Sequence, residues 1–157
     1  MKKPGFRLTQ IDERLAELVG RTDQRTLAVW AIECAERVLP YFEEKYPEDV
    51  RPRRAIETLQ RWIDTGIFRM ADIRGASLAS HAAARDVGED SPARSAARAA
   101  GQAVATAHVP RHALGPALYA LQAIHRATDP ADVDAAMAAE REWQYRRLLT
   151  LAGARKA

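Results

Sequence analysis

The unbroken apolar run from Leu27 to Ile32, inside DQRTLAVWAIECAERVLPYFEEKY (Asp23 to Tyr46), constrains this chain more than any other stretch. A helix with one flank in water keeps polar residues on that flank, so a segment that is apolar all round has to be wrapped by neighbours. The segment therefore reads as the central helix of its domain. Glu33, Cys34, Glu36 and Arg37 are set at the end of that column, followed by Pro40. A proline there removes one backbone hydrogen bond and its ring crowds the carbonyl of Glu36, which predicts a bend near residues 36–40 with helix resuming from Phe42 to Lys45.

With 157 residues, one domain with a proper core is the default. Aromatic residues make up 6% of the chain while alanine and arginine abound, which favours helix over strand. Ile11, Leu15, Leu18 and Val19 recur at helical spacing until Gly20, and Thr22 or Asp23 can cap the second helix. Pro52 suits the first turn of a third helix with inner face Ile56, Leu59 and Ile63, closed by Gly66. A fourth runs from Met70 to Val87 with Ile73 and Leu78 inside, and Gly88 at its end. Ser91-Pro92 opens a fifth, to Ala107, composed mostly of alanine and glycine. Such small side chains make sense only where another helix backbone approaches closely. A sixth spans Arg111 to Ala127, with Leu114, Leu118, Leu121 and Ile124 inward and Gly115-Pro116 disturbing its start. Asp129-Pro130 opens the last, which carries Val133, Met137, Trp143, Leu148 and Leu151.

These segments predict an all-α fold of six to seven helices, orthogonal or bundle-like, with no sheet. The expected organisation is a flexible N-terminal arm (1–8), one helical domain (9–152) and a frayed basic tail (153–157). Short connections favour antiparallel neighbours. Trp30, Trp62 and Trp143 fall at core positions of their helices, and His125 at an exposed helix end.

A net charge of +3 and no like-charge cluster beyond Lys2-Lys3 and Arg51 to Arg54 make nucleic acid an unexpected partner. The single cysteine, Cys34, points to a reducing compartment. The basic start lacks the apolar region of an export signal and no stretch is long enough to span a membrane, so the expected location is the cytoplasm, with no membrane partner.

The polar residues embedded in apolar helices are the candidate site: Glu33, Glu36, Arg37, His81, Arg85, Arg98, His108 and His112. Glu33 and Arg37 are four apart in the favourable order for a helical ion pair, and His81 and Arg85 repeat that spacing. Burying such charges costs several kcal/mol each unless they are paired. One reading has Glu33, Glu36, His81, His108 and His112 converge on a metal or polar ligand, as carboxylates and imidazoles do in helical bundles. The other makes them a network tying helices together. No HExxH or paired ExxH motif is present and Pro110 separates His108 from His112, so the network is the stronger reading and no metal, cofactor or catalytic residue is assigned. Cys34 in mid-helix reads as packing, and Ser77 and Ser80 lack the tight turn that presents a nucleophilic serine.

Several blocks in order, Asp23-Gln24-Arg25, Trp30, Cys34 to Leu39, His81 to Arg85, Gly101 to His108, His112 to Gly115 and Tyr119-Ala120, resemble the immunity protein five-like family of bacteria and archaea. The resemblance runs from Thr22 to Ala127; the first and last helices carry none of its motifs. It implies a small cytoplasmic protein that binds and neutralises a cognate toxin without catalysis. A tight inhibitor needs exposed aromatic or arginine anchors, and Tyr46 with Arg51, Arg53 and Arg54 is the expected partner surface, the Glu43-Glu44 edge being the alternative. The alternative is a small-molecule- or metal-binding helical protein, even an enzyme, built on Glu33, His81, His108 and His112.

Overall fold

The computed structural model describes residues 2–156, and their side chains up to Gly153. Among them are eight α-helices, two short 3-10 turns and no strand. The helices are α1 (Glu13–Gly20), α2 (Gln24–Glu36), α3 (Pro40–Glu43), α4 (Arg51–Thr65), α5 (Met70–Asp86), α6 (Pro92–Val104), α7 (Leu114–Ala127) and α8 (Val133–Lys156); the turns are Ala105–Ala107 and Pro110–Ala113. The all-α class stands, and the count exceeds the expected six to seven because Pro40 splits its helix. Val38 bonds three residues back to Ala35 (3.2 Å), Pro40 has no N–H for the Glu36 carbonyl, and α3 restarts with that proline in its first turn.

The glycine stops and the Ser91-Pro92 start act as their chemistry requires. Gly66 (φ 70°) and Gly88 (φ 78°) take the left-handed backbone that ends α4 and follows α5. Ser91 caps α6, its hydroxyl accepting from the Arg94 amide, with Pro92 next. Asp23 takes the cap position of α2, while the Thr22 hydroxyl donates back to Leu18 (2.7 Å). α8 begins later than the Asp129-Pro130 signal, its first amide, Val133, bonding to the Asp129 carbonyl at 3.0 Å.

α2 is buried almost all round, as its composition demands, and packs on α4, α6, α7 and α8. It shares the centre with α6, which lies against α5 and α7 and also touches α2, α3 and α4. Antiparallel pairing is visible in which residues meet. Arg25 donates to the Ile63 carbonyl and Arg53 to Glu36 across α2 and α4. Ser80 reaches Ala97 and Ser77 reaches Gly101 across α5 and α6; Ser95 meets Gln122 across α6 and α7.

Five core assignments and one surface assignment are corrected. Leu78 is 55% exposed, because the inner face of α5 repeats every seven residues through Ile73 and Ser80 and through Ser77 and Ala84, and Leu78 falls outside both rows. Leu118 and Ile124 of α7 are only half-buried, whereas Leu114 and Leu121 are buried. Trp30 is fully buried, but Trp62 and Trp143 lie half-buried at the edge of the core. His125 is half-buried, its Nε2 donating to the Pro4 carbonyl (2.7 Å) and its ring 5.7 Å from Phe6, while Lys3 donates to the His125 carbonyl (2.6 Å). Residues 2–12 thus carry no helix, and Lys3, Pro4 and Phe6 lie against the end of α7. Of the expected basic tail, the backbone is helical to Lys156 and the side chains beyond Gly153 lie outside the described residues, as does Met1 of the arm.

Candidate functional site

The embedded polar residues sort into four separate places. The first is the contact of α2 with α8. Glu33 and Arg37 do not pair with each other; each reaches across to α8. Arg37 grips Glu140 with two donors (Nε–Oε2 2.8 Å, Nη2–Oε1 2.7 Å), and its guanidinium lies 3.8 Å over the Trp143 ring. Arg147 holds Glu33 (Nη2–Oε1 2.8 Å). The reason is geometric: Glu33 and the C-cap residue Arg37 are one turn apart at the end of α2, 140 and 147 two turns apart on α8, and the antiparallel crossing presents opposite charges to both. Between the pairs, the Trp30 indole donates to the Gln144 carbonyl (2.9 Å) and the buried Gln144 amide donates to Ala117 of α7 (3.0 Å). Glu140 is 4% exposed, Arg37 40%. Hydrogen bonding to Glu140 holds the Arg37 guanidinium even more firmly protonated than usual. Cys34 sits inside this layer with its thiol pushed well up, first by burial and then by Glu140 and Glu33, so it is held as the unreactive thiol.

The second place is the contact of α5 with α6. His81 Nδ1 lies 2.8 Å from Arg98 Nη1; arginine only donates, so Nδ1 accepts and the ring's proton is on Nε2. Burial, then Arg98 and Arg85, lower the His81 pKa from 6.5 to about 4. The ring also lies flat against Gly101, where a Cβ would come within 2.8 Å of Nε2. Arg85 itself is exposed.

The third holds the two remaining histidines, both exposed and apart from His81. His108 stacks on Phe68 (6.1 Å between rings), and His112 Nδ1 lies 3.2 Å from Gln102 Oε1. The fourth is the contact of α2 with α4, where exposed Glu36 accepts from Arg53. Each member of the set expected to converge therefore has its own partner in its own place. Among the described residues no group of three or more histidines, cysteines and carboxylates is placed to hold a metal ion.

The expected partner surface is largely committed internally. Arg51 bonds to Asp49 (2.7 Å) and to Asp86 (2.8 Å), which raises its pKa, and Arg53 to Glu43 (2.6 Å) and Glu36 (3.3 Å). Tyr46 is half-buried with its ring 5.2 Å from Phe42. Arg54 is the exposed member, without an ion-pair partner among the described residues. Sequence reasoning passed over the α4–α5 connection. There Ile67 is 60% and Phe68 43% exposed, with Met70 exposed beside them and Val109 next to the stacked His108. Trp62 borders two hollows at this corner, of about 230 Å³ and 270 Å³. The available signal was the dipeptide Ile67-Phe68 directly after a helix-ending glycine, where neither helical face nor strand alternation gives it a place to hide.

The family model described as Imm-5 like putative immunity protein matches residues 17–151. The chain belongs to that family. The Imm-5 like match extends beyond the blocks recognisable by eye, into α1 and through nearly all of α8. It thus includes Glu140, Gln144 and Arg147, the residues that complete the α2–α8 layer. Comparison with curated proteins and with solved structures returned no match. No helix among the described residues is long and apolar enough to cross a membrane.

Proposed function

We propose that this Imm-5 like protein is an immunity protein that binds a cognate toxin in the cytoplasm and neutralises it by occlusion, without bond-making of its own. The family match over residues 17–151 carries the reading. The site geometry supports it in one respect: Glu33, Arg37 and His81, the groups best suited to chemistry, are engaged by Arg147, Glu140 and Arg98 and serve to lock helices together. Locked helices present a preformed surface, which reduces the ordering cost of binding.

The test is co-expression with the product of each neighbouring reading frame that arrests growth. Cells carrying the wild-type chain are expected to survive one of them, and the two proteins to co-purify. Continued killing by every such product, with the chain folded and abundant, would overturn the reading. A catalytic alternative would show protection lost in His81→Gln while co-purification persists.

A further inference from the structure

The geometry points to the corner around Trp62 as the docking surface, and to an acidic protein segment carrying an apolar side chain as its occupant. This rests on the reading that the chain acts by binding a protein, and deepens it.

Contiguity comes first. Trp62 lines both hollows; Ile67 lines one and Gly66 the other; Phe68, next in sequence, stacks on His108, which exposed Val109 follows in the chain. One exposed apolar surface therefore links the end of α4, the start of α5 and the segment between the two 3-10 turns. Contiguous apolar surface on a folded chain marks a site of contact. Hydrogen bonds secure both ends of the connection between α4 and α5. The Gly66 amide bonds to the Trp62 carbonyl (2.8 Å), the Ile67 amide to Thr65 Oγ1 (3.2 Å), and the Arg69 carbonyl accepts from Asp72 and Ile73.

Charge selects the occupant. Arg61 and Arg69 line the first hollow, exposed and without ion-pair partners among the described residues, and exposed Arg25, which donates to the Ile63 carbonyl, lines the second. Asp72 is the carboxylate on the first hollow and Asp23 the one on the second, so the excess of positive charge lies on the first, at Arg61 and Arg69. A tryptophan and a phenylalanine among aliphatic side chains, rimmed by arginine, is the composition of an interface centre and its edge. A second copy of this chain would set arginine against arginine. Nucleic acid fits less well, because Ile67, Met70 and Val109 cannot stack on bases and Asp72 opposes phosphate.

The experiment pans the immobilised full-length protein with a phage-displayed random peptide library. Selected peptides are then titrated against the wild type, Phe68→Ala, the pair Arg61→Glu with Arg69→Glu, and Leu149→Ala, which alters an exposed apolar residue of α8. Unfolding midpoints of all variants are measured alongside; these positions are exposed and should retain them. Peptides combining acidic with aromatic or aliphatic residues are expected, losing about tenfold or more in affinity on either corner variant, none on Leu149→Ala, and weakening with salt. Basic or no selected peptides, or unchanged affinity on the corner variants, would overturn the proposal. So would a single-stranded DNA oligonucleotide binding at this corner, or dimerisation abolished by Phe68→Ala. Failure to protect cells from any toxin, with acidic peptides still held here, would remove the toxin reading and leave the surface.

Discussion

Where α2 lies against α8, long side chains span the gap: Trp30 reaches the Gln144 carbonyl, Arg37 reaches Glu140 and Arg147 reaches Glu33. Where α5 lies against α6, the backbones themselves come close, with Ala93, Ala96, Ala97, Ala100 and Gly101 buried, and Ser77 and Ser80 donating directly to the Gly101 and Ala97 carbonyls (2.9 and 2.7 Å). The difference teaches what each contact can tolerate. A spanned gap suffers from losing one of a pair, because the remaining charge is left in a poor solvent; a closed gap suffers from any added atom.

The largest expected effect breaks the first contact. Arg37→Met removes the two donors of the nearly inaccessible Glu140 and should cost about 3 kcal/mol, read from urea unfolding. Glu140→Gln should cost distinctly less, about 1 kcal/mol, because Arg37 is 40% exposed, can hydrate, and keeps its place over Trp143. Equal losses from the two sides would show that burial of the carboxylate is not what makes this pair matter.

The next breaks the second contact by addition. In a solvent-facing helix Gly→Ala stabilises by up to about 1 kcal/mol. At Gly101 the new methyl would stand 2.8 Å from His81 Nε2 and 3.1 Å from Cε1, so the ring must leave and Arg98 loses its acceptor. The expected outcome is a loss of about 2 kcal/mol by urea unfolding, reversed in part when His81→Ala makes room. A Gly101→Ala protein more stable than wild type would mean the two helices are not packed to contact.

These two contacts were unequally legible in the sequence. The alanine-rich Pro92 helix announces a close neighbour by the size of its side chains alone, and the burial of Ala96, Ala97 and Ala100 bears that out. The apolar column of α2 likewise requires wrapping, whichever helices supply it. The partners of Glu33 and Arg37 were hidden, since i,i+4 spacing offers a pair within the helix and nothing local says that Glu140 and Arg147, over a hundred positions on, lie opposite. His81, His108 and His112 share a residue type and a stretch of sequence, yet where each points depends on the 3-10 turns at 105–107 and 110–113. At Ile67-Phe68 the exposure of an apolar pair after a helix-ending glycine was open to reading, while the stacking of Phe68 on His108 is a tertiary contact that nothing local announces.

A pH titration sharpens the comparison further. The unfolded imidazole of His81 takes its proton near 6.5 and the folded one near 4, so between those values the unfolded state holds more protons. Stability tied to neutral His81 is complete above pH 6.5 and drains away as pH falls toward 4. With the shift discounted for the ring's partial exposure, the loss is roughly 1.5 kcal/mol. His81→Gln should flatten that part of the stability curve, and an unchanged curve would mean that the ring protonates in place.

The smallest expected effect separates the two ion pairs of the first contact. Arg147 and Glu33 are 36% and 29% exposed, so water screens their attraction and remains available to either one alone. Glu33→Gln should therefore cost less than about 1 kcal/mol, and a double-mutant cycle with Arg147→Met should return a coupling of about 0.5 kcal/mol. The same cycle on Arg37 and Glu140 should return several times more, because there one partner has no access to water. If both cycles gave the same coupling, exposure would not be what ranks them, and the stiffness of α8 along its whole length would be the better explanation of how it grips α2.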